Sequence, residues 1–147
     1  MGKITHNDLN NLGEKFLRSS VNSRYKCRIT RIELVSAAKE TPDVIGFYSG
    51  GSVVIESKSR RQDFLNDKKK RHRSQEGIGD YRFFLSTKDI IHGKEDLYDG
   101  WGLLHTDGKK VWIVEHPTYR GYERNRYDDC VIMYSIIRRL ERNLNLC

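Results

Sequence analysis

The chain is expected to fold as an α/β sandwich, a central mixed sheet flanked by helices. Three observations predict it: an amphipathic helical period near the start, a series of Val-, Ile-, Phe- and Tyr-rich runs of strand length, and a long apolar-faced helix at the end. The 147 residues suit one domain, spanning 1–147, that buries its own core. Hydrophobic content of 37% beside charged content of 32% fits a globular protein with a large polar surface. No apolar run is long enough to span a bilayer, so a membrane protein is not expected.

From Asn7 to Ser19, Leu9, Leu12, Phe16 and Leu17 recur near a period of 3.6, with Asn7 as N-cap. Tyr25 to Val35 alternates and reads as the first strand, with Cys27, Ile29, Arg31 and Glu33 on one face. Val44–Tyr48 and Ser52–Ser57 have hairpin composition around Ser49, Gly50 and Gly51. Pro42 suits the start of that first arm, where a missing N–H does least harm. Ser59 to Arg73 reads as a helix capped by Ser59, with Phe64 and Leu65 packing inward. Gln75 to Asp80 reads as a mobile glycine-containing loop able to approach DNA. Tyr81–Ser86 is a further strand, and Lys88–Gly100 a helical turn and loop. Trp101–His105 and Lys110–Glu115 form a second hairpin about Asp107-Gly108, with both tryptophans assigned to packing rather than base stacking. Tyr127–Leu144 is a helix expected to bury Val131, Ile132, Tyr134, Ile136, Ile137 and Leu140, a width that would also serve a homodimer.

The first hairpin carries the chemistry. With Gly50 and Gly51 as central turn residues, where positive φ is tolerated, Ser49 faces Ser52, Asp43 lies opposite Lys58 and Ile45 opposite Glu56. Alternation then puts Asp43, Glu56 and Lys58 on one face at one end of the hairpin. Two carboxylates and an amine so placed can hold a divalent cation, orient a water and neutralise charge on a phosphoryl group. The same residues also occur as the solvated ends of ordinary hairpins.

The charge distribution points to a polyanionic partner. Net charge is +7, and Lys58, Arg60, Arg61, Lys68, Lys69, Lys70, Arg71 and Arg73 crowd the stretch after the hairpin. That cluster offers phosphate contacts and counterion release, with arginines favoured for bidentate grips, so DNA is the expected partner. Asp63 is placed to orient Lys58 or Arg60. Arg120, Arg124 and Arg126 form a second basic patch. Glu14 on the first helix and Glu33 near the end of the first strand are candidate additional acidic ligands. The three cysteines, Cys27, Cys130 and Cys147, have neither disulfide-framework nor zinc spacing. The five histidines are dispersed and read as ordinary surface or core residues. No secretory signal precedes the first helix, so a cytoplasmic protein, in a bacterial or phage-infected cell, is expected.

Pro42-Asp43 and Glu56-Ser57-Lys58 resemble the motif of the PD-(D/E)XK, or restriction-endonuclease-like, nuclease superfamily. The likeness runs over about residues 5 to 140. It takes in Arg31-Ile32-Glu33-Leu34 before the hairpin, the basic SRRQDFLNDKKK helix, YRFFLS and LYDGWGLLHTDGKKVWIVEHP. It is similar to the small single-domain phage members and to the MmcB-like bacterial DNA-repair branch. The resemblance implies a restriction-endonuclease-like α/β sandwich that hydrolyses DNA with Mg²⁺ or Mn²⁺ and leaves a 5′-phosphate. It implies Asp43, Glu56, Glu33 and the Ser57 backbone carbonyl as metal ligands, and Lys58 as the residue that assists the attacking water. A catalytically silent nucleic-acid-binding module of the same fold and an RNA-directed nuclease are the alternatives.

Overall fold

The computed structural model describes residues 2–20, 24–67, 77–122 and 124–145. The first helix, α1 (His6–Arg18), is capped two residues earlier than the periodicity indicates, by Thr5 in place of Asn7. The Thr5 hydroxyl accepts from the Asp8 N–H at 3.1 Å, and the Asp8 carboxylate accepts from the Thr5 N–H at 2.9 Å. This reciprocal box satisfies two otherwise orphaned donors. Hydrogen bonds from Thr5 hold the Asp8 carboxyl below its ordinary range.

Among the described residues, six strands form one sheet: β1 (Ile29–Ile32), β2 (Val44–Tyr48), β3 (Gly51–Ser57), β4 (Tyr81–Ser86), β5 (Gly102–Thr106) and β6 (Val111–Glu115). Their order in the sheet is their order in the chain. β3 and β5 flank β4 in parallel, and the remaining neighbours are antiparallel. A parallel step needs a crossover. The first one contains α2 (Arg61–Asp67), and the second contains a short 3₁₀ turn, Lys94–Asp96. The last helix, α3 (Tyr127–Asn143), follows β6.

Alternation along the strands divides the core into two faces. Val44, Val53, Ile55, Phe83, Leu85 and Leu104 pack against Leu9 and Leu17 of α1, together with Tyr25 and Cys27. On the opposite face Ile45, Phe47 and Val54 meet Ile132 and Ile136 of α3. Beside them Phe84 and Leu103 meet Phe64 of α2 with Ile91 and Trp101. The result is an α/β sandwich with a mixed sheet between helical layers, as expected. Among the described residues no helix is long and apolar enough to cross a membrane.

Several local expectations are overturned. The first strand is shorter than Tyr25–Val35: it ends at Ile32, and Glu33 takes a left-handed φ of 47°. The hairpin turns on Ser49-Gly50 instead of Gly50-Gly51, pairing Tyr48 with Gly51 and Phe47 with Ser52. Neither Gly50 nor Gly51 has positive φ. Gly51 is needed for space, since a Cβ there would lie 2.0 Å from the Asp80 carboxylate. The segment 77–80 is no mobile loop, because Ile78, Gly79 and Asp80 are buried. Leu65 is exposed instead of packing inward, as are Tyr134, Ile137 and Leu140 on α3. Trp101 is core, but Trp112 is exposed on the edge strand β6.

Candidate functional site

The shift of the turn by one residue preserves the parity on which the site depends. Val44 pairs with Ile55 and Ile45 with Val54, so continuing the register sets Asp43 against Glu56 instead of Lys58. Same-face residues stay together because the pairing moved by an even step. Asp43, Glu56, Ser57, Lys58 and Asp63 line one cleft of about 370 Å³ together with His6, Thr41 and Ser59.

Asp43 and Lys58 in that cleft are each held by a second group. The Ser57 backbone N–H donates to Asp43 Oδ2 at 2.9 Å, which ties the carboxylate at the mouth of β2 to the end of β3. Asp43 also fixes the preceding turn, because its carbonyl accepts from the Glu33 N–H at 3.0 Å. Glu56 is only 4% exposed, sitting between β2 and β4, where it pairs with Phe84. Lys58 continues past the end of β3, and its backbone N–H donates to the Leu85 carbonyl at 2.9 Å. The Lys58 ammonium donates to Asp67 Oδ1 at 3.0 Å, with the two side chains 10% and 0% exposed. Asp67 is the last residue of α2, so the helix that crosses between the parallel strands aims the lysine. Asp63, one turn earlier, instead pairs with Arg60 at 3.3 Å on the surface.

Lys58 also borders a second hollow of about 390 Å³, lined by Lys3, Ser59, Arg60, Thr87 and Asp89 among others. Arg60 is exposed and lines this hollow. Arg61, expected to contact phosphate, does not. Its guanidinium is bidentate to Asp96 at 2.8 and 2.9 Å and donates to the Ile90 carbonyl at 2.8 Å. Hydrogen bonding from Arg61 holds the Asp96 carboxyl well below the usual carboxylate range. Arg61 therefore ties α2 to the second crossover. Lys68, Lys69, Lys70, Arg71 and Arg73 lie outside the described residues.

The expected second basic patch is instead largely an internal network. Arg124, its side chain 5% exposed, donates to Asp80 at 2.8 Å, to Asp129 at 2.9 Å and to Ser52 Oγ at 3.2 Å. Arg126 donates to the other Asp80 oxygen at 2.9 Å. Arg120 donates to the Gly77 and Gly79 carbonyls. Burial pushes the Asp80 carboxyl up, but hydrogen bonds from Arg124, Arg126 and the Ser52 N–H outweigh it and leave it lowered. Burial, helped by the charge of Arg124, lowers the Arg120 guanidinium to about 10.

Glu33 reaches the site and Glu14 does not. Glu14 Oε2 accepts from the Thr30 hydroxyl at 3.0 Å. Glu33 Oε1 accepts from the buried Asn10 amide at 3.2 Å and lies 3.4 Å from His6 Nε2. His6 Nε2 is also 3.3 Å from Asp43 Oδ1. His6 was read from the sequence as an ordinary histidine. Its one local signal is its position directly after the Thr5 cap, which places it on the first turn of a helix, but nothing in the pattern links it to Asp43.

The donor set fits a divalent cation. It is rich in carboxylate oxygen, as a hard ion requires. One Asp43 oxygen is already taken by an N–H, which leaves the other directed toward His6. The Ser57 hydroxyl is buried and has no hydrogen-bond partner among the described residues, and an unpartnered polar atom is what an additional ligand or its water would satisfy.

No protein-family model and no curated protein matches the chain. Among solved structures it is similar to a protein of unknown function from Silicibacter pomeroyi, with a TM-score of 0.57 and 26% identity over 77% of each chain.

Proposed function

We propose that this chain is a metal-dependent nuclease of the restriction-endonuclease-like type, a single domain that hydrolyses phosphodiester bonds in DNA. The observation that carries the reading is the cleft where Asp43, Glu56, Ser57 and Lys58 converge at one end of the β2–β3 hairpin. Asp43 and Glu56, with Glu33 and the Ser57 carbonyl, are the groups to hold Mg²⁺ or Mn²⁺. When bound, such an ion lowers the pKa of a coordinated water and stabilises charge on the phosphate. Asp43 is pre-set for its part by the Ser57 N–H. Lys58, aimed by Asp67, orients the attacking water and offsets the negative charge that develops on the phosphate oxygens. Arg60 at the rim and the net charge of +7 draw the polyanion in.

One observation favours the alternative of a catalytically silent nucleic-acid-binding module: the Lys58 ammonium is already engaged by Asp67. The two readings separate in one assay. Plasmid, linear, single-stranded and branched DNA, and RNA, are incubated with Mg²⁺, Mn²⁺ or chelator. The nuclease reading expects dication-dependent cleavage that Asp43→Ala and Lys58→Ala abolish while DNA binding persists. Binding without cleavage on every substrate supports the silent module, and cleavage at full rate by both variants refutes the site. Cleavage confined to RNA changes the substrate class but leaves the residues in their roles.

A further inference from the structure

His6 lines this cleft but is no part of the nuclease motif. Its Nε2, Glu33 Oε1 and Asp43 Oδ1 all lie within 4.8 Å of one another. The imidazole stands almost evenly between the two carboxylates, 3.3 Å from Asp43 and 3.4 Å from Glu33. A protonated imidazole donating directly to a carboxylate would close to about 2.7–2.9 Å. The two histidine–carboxylate separations, 3.3 and 3.4 Å, match the spacing of neighbouring ligands around one shared ion. Bonds of about 2.0–2.2 Å in a tetrahedral site set ligands about 3.3–3.6 Å apart. Octahedral Mg²⁺, with bonds of about 2.0–2.1 Å, would draw adjacent ligands to about 2.8–3.0 Å.

The two carboxylates are also oriented from outside, as metal ligands usually are. Asp43 has its second oxygen held by the Ser57 N–H. Glu33 is held by the amide of Asn10, a buried residue of α1 whose own Oδ1 has no partner among the described residues. Ser57, with its buried and unpartnered hydroxyl, lines the same cleft as His6 and Asp43. A nitrogen donor is poorly suited to Mg²⁺ and Ca²⁺, which take oxygen, and well suited to the borderline first-row ions.

We propose that His6, Glu33 and Asp43 form a one-nitrogen, two-carboxylate site for a borderline first-row dication, Co²⁺ or Zn²⁺, in preference to Mg²⁺. The inference rests on the nuclease reading only in setting the ion in the same cleft, with Asp43 common to both ligand sets. His6 is the residue that selects the metal.

The test is calorimetric titration of the full chain with Co²⁺ and Mg²⁺, alongside the visible absorption of the Co²⁺-loaded protein. Wild type is compared with His6→Ala and Glu33→Gln, each checked for an unchanged thermal unfolding profile without metal. His6 is partly exposed on the first turn of α1, so its removal leaves the core intact. The expectation is Co²⁺ bound about tenfold or more tightly than Mg²⁺ by wild type, with that preference lost in His6→Ala while Mg²⁺ affinity holds within about threefold. Glu33→Gln should weaken Co²⁺ and Mg²⁺ alike, and the Co²⁺ spectrum should change in both variants. Unchanged Co²⁺ affinity and spectrum in His6→Ala overturn the proposal, as does a wild type that does not bind Co²⁺. Failure of the nuclease reading is distinct: His6-dependent Co²⁺ binding without DNA cleavage leaves this site standing, whereas cleavage with a His6-independent metal preference removes it alone.

Discussion

Replacing Arg124 by Met should unfold the protein far more easily without touching the cleft. The guanidinium is nearly enclosed and serves two buried carboxylates, Asp80 and Asp129, besides the Ser52 hydroxyl. Removing one partner from a buried ion pair costs about 3–5 kcal/mol. Here Asp80 keeps Arg126 and the Ser52 N–H, and Asp129 keeps the Ser52 hydroxyl at 2.7 Å. That residual bonding favours the lower part of the range, about 3–4 kcal/mol, which for a chain of this length lowers Tm by about 10 °C. The pH dependence has a definite sign. Asp80 has a folded-state pKa lowered from 3.8, so its contribution is fully present above the unfolded value and is lost as pH falls through the lowered one. Wild type and Arg124→Met should therefore differ most at neutral pH and converge below about pH 4. Urea unfolding followed by circular dichroism at pH 7 and pH 3.5 measures both quantities. A loss under about 1 kcal/mol at pH 7, or an equal loss at the two pH values, would refute the argument that Arg124 acts through buried carboxylates. Ser52 lies four residues before Glu56, about 13 Å along β3, so cleavage per folded molecule should not change.

Two further outcomes are expected. Asp67→Asn keeps a hydrogen-bond acceptor for Lys58 but removes the charge that holds it, and should lower kcat on the order of 10–100-fold with KM little changed. Single-turnover kinetics check this, and a wild-type rate would show that Lys58 needs no anchor. Gly46→Ala would put a Cβ 2.6 Å from Cys27 Sγ and 2.7 Å from Cys27 Cβ inside the α1-facing core. Overpacking of this kind costs about 1–3 kcal/mol, and a thermal melt indistinguishable from wild type would contradict the packing at that point.

The elements most legible in the sequence are those specified by local period. Alternation about a two-residue turn places Asp43, Glu56 and Lys58 on one face, and the different turn observed keeps them there because parity is indifferent to an even shift. The turn itself was misread because glycine answers two needs. Its sequence suggests backbone freedom at Gly51, whereas the residue makes room for Asp80, 29 positions away, whose approach no local rule announces. The same blindness to distant partners explains His6, which meets Asp43 only after α1 docks on the sheet. It also explains Arg61, expected from its charge to contact phosphate, and Arg124, expected in a second basic patch, while Asp96, Asp80 and Asp129 wait elsewhere in the chain to neutralise them. Lys58 and Asp67 belong to a strand end and a helix end, so neither a period of two nor one of 3.6 connects them. Apolar width on α3 overstated its burial, since only Ile132 and Ile136 of the expected apolar set are buried.

The sheet's order has a consequence for how the molecule can vary. Because each strand lies beside its chain neighbours, the cleft is assembled near the β1 edge, and the cluster around Trp101 near the other. The exposed Trp112 and Val114 of β6 are three strands removed from Glu56. Substitutions, insertions or a new contact along that far edge would act on surface and association while leaving the carboxylates where they are. The chain can change what it meets at one side without changing what it can do at the other.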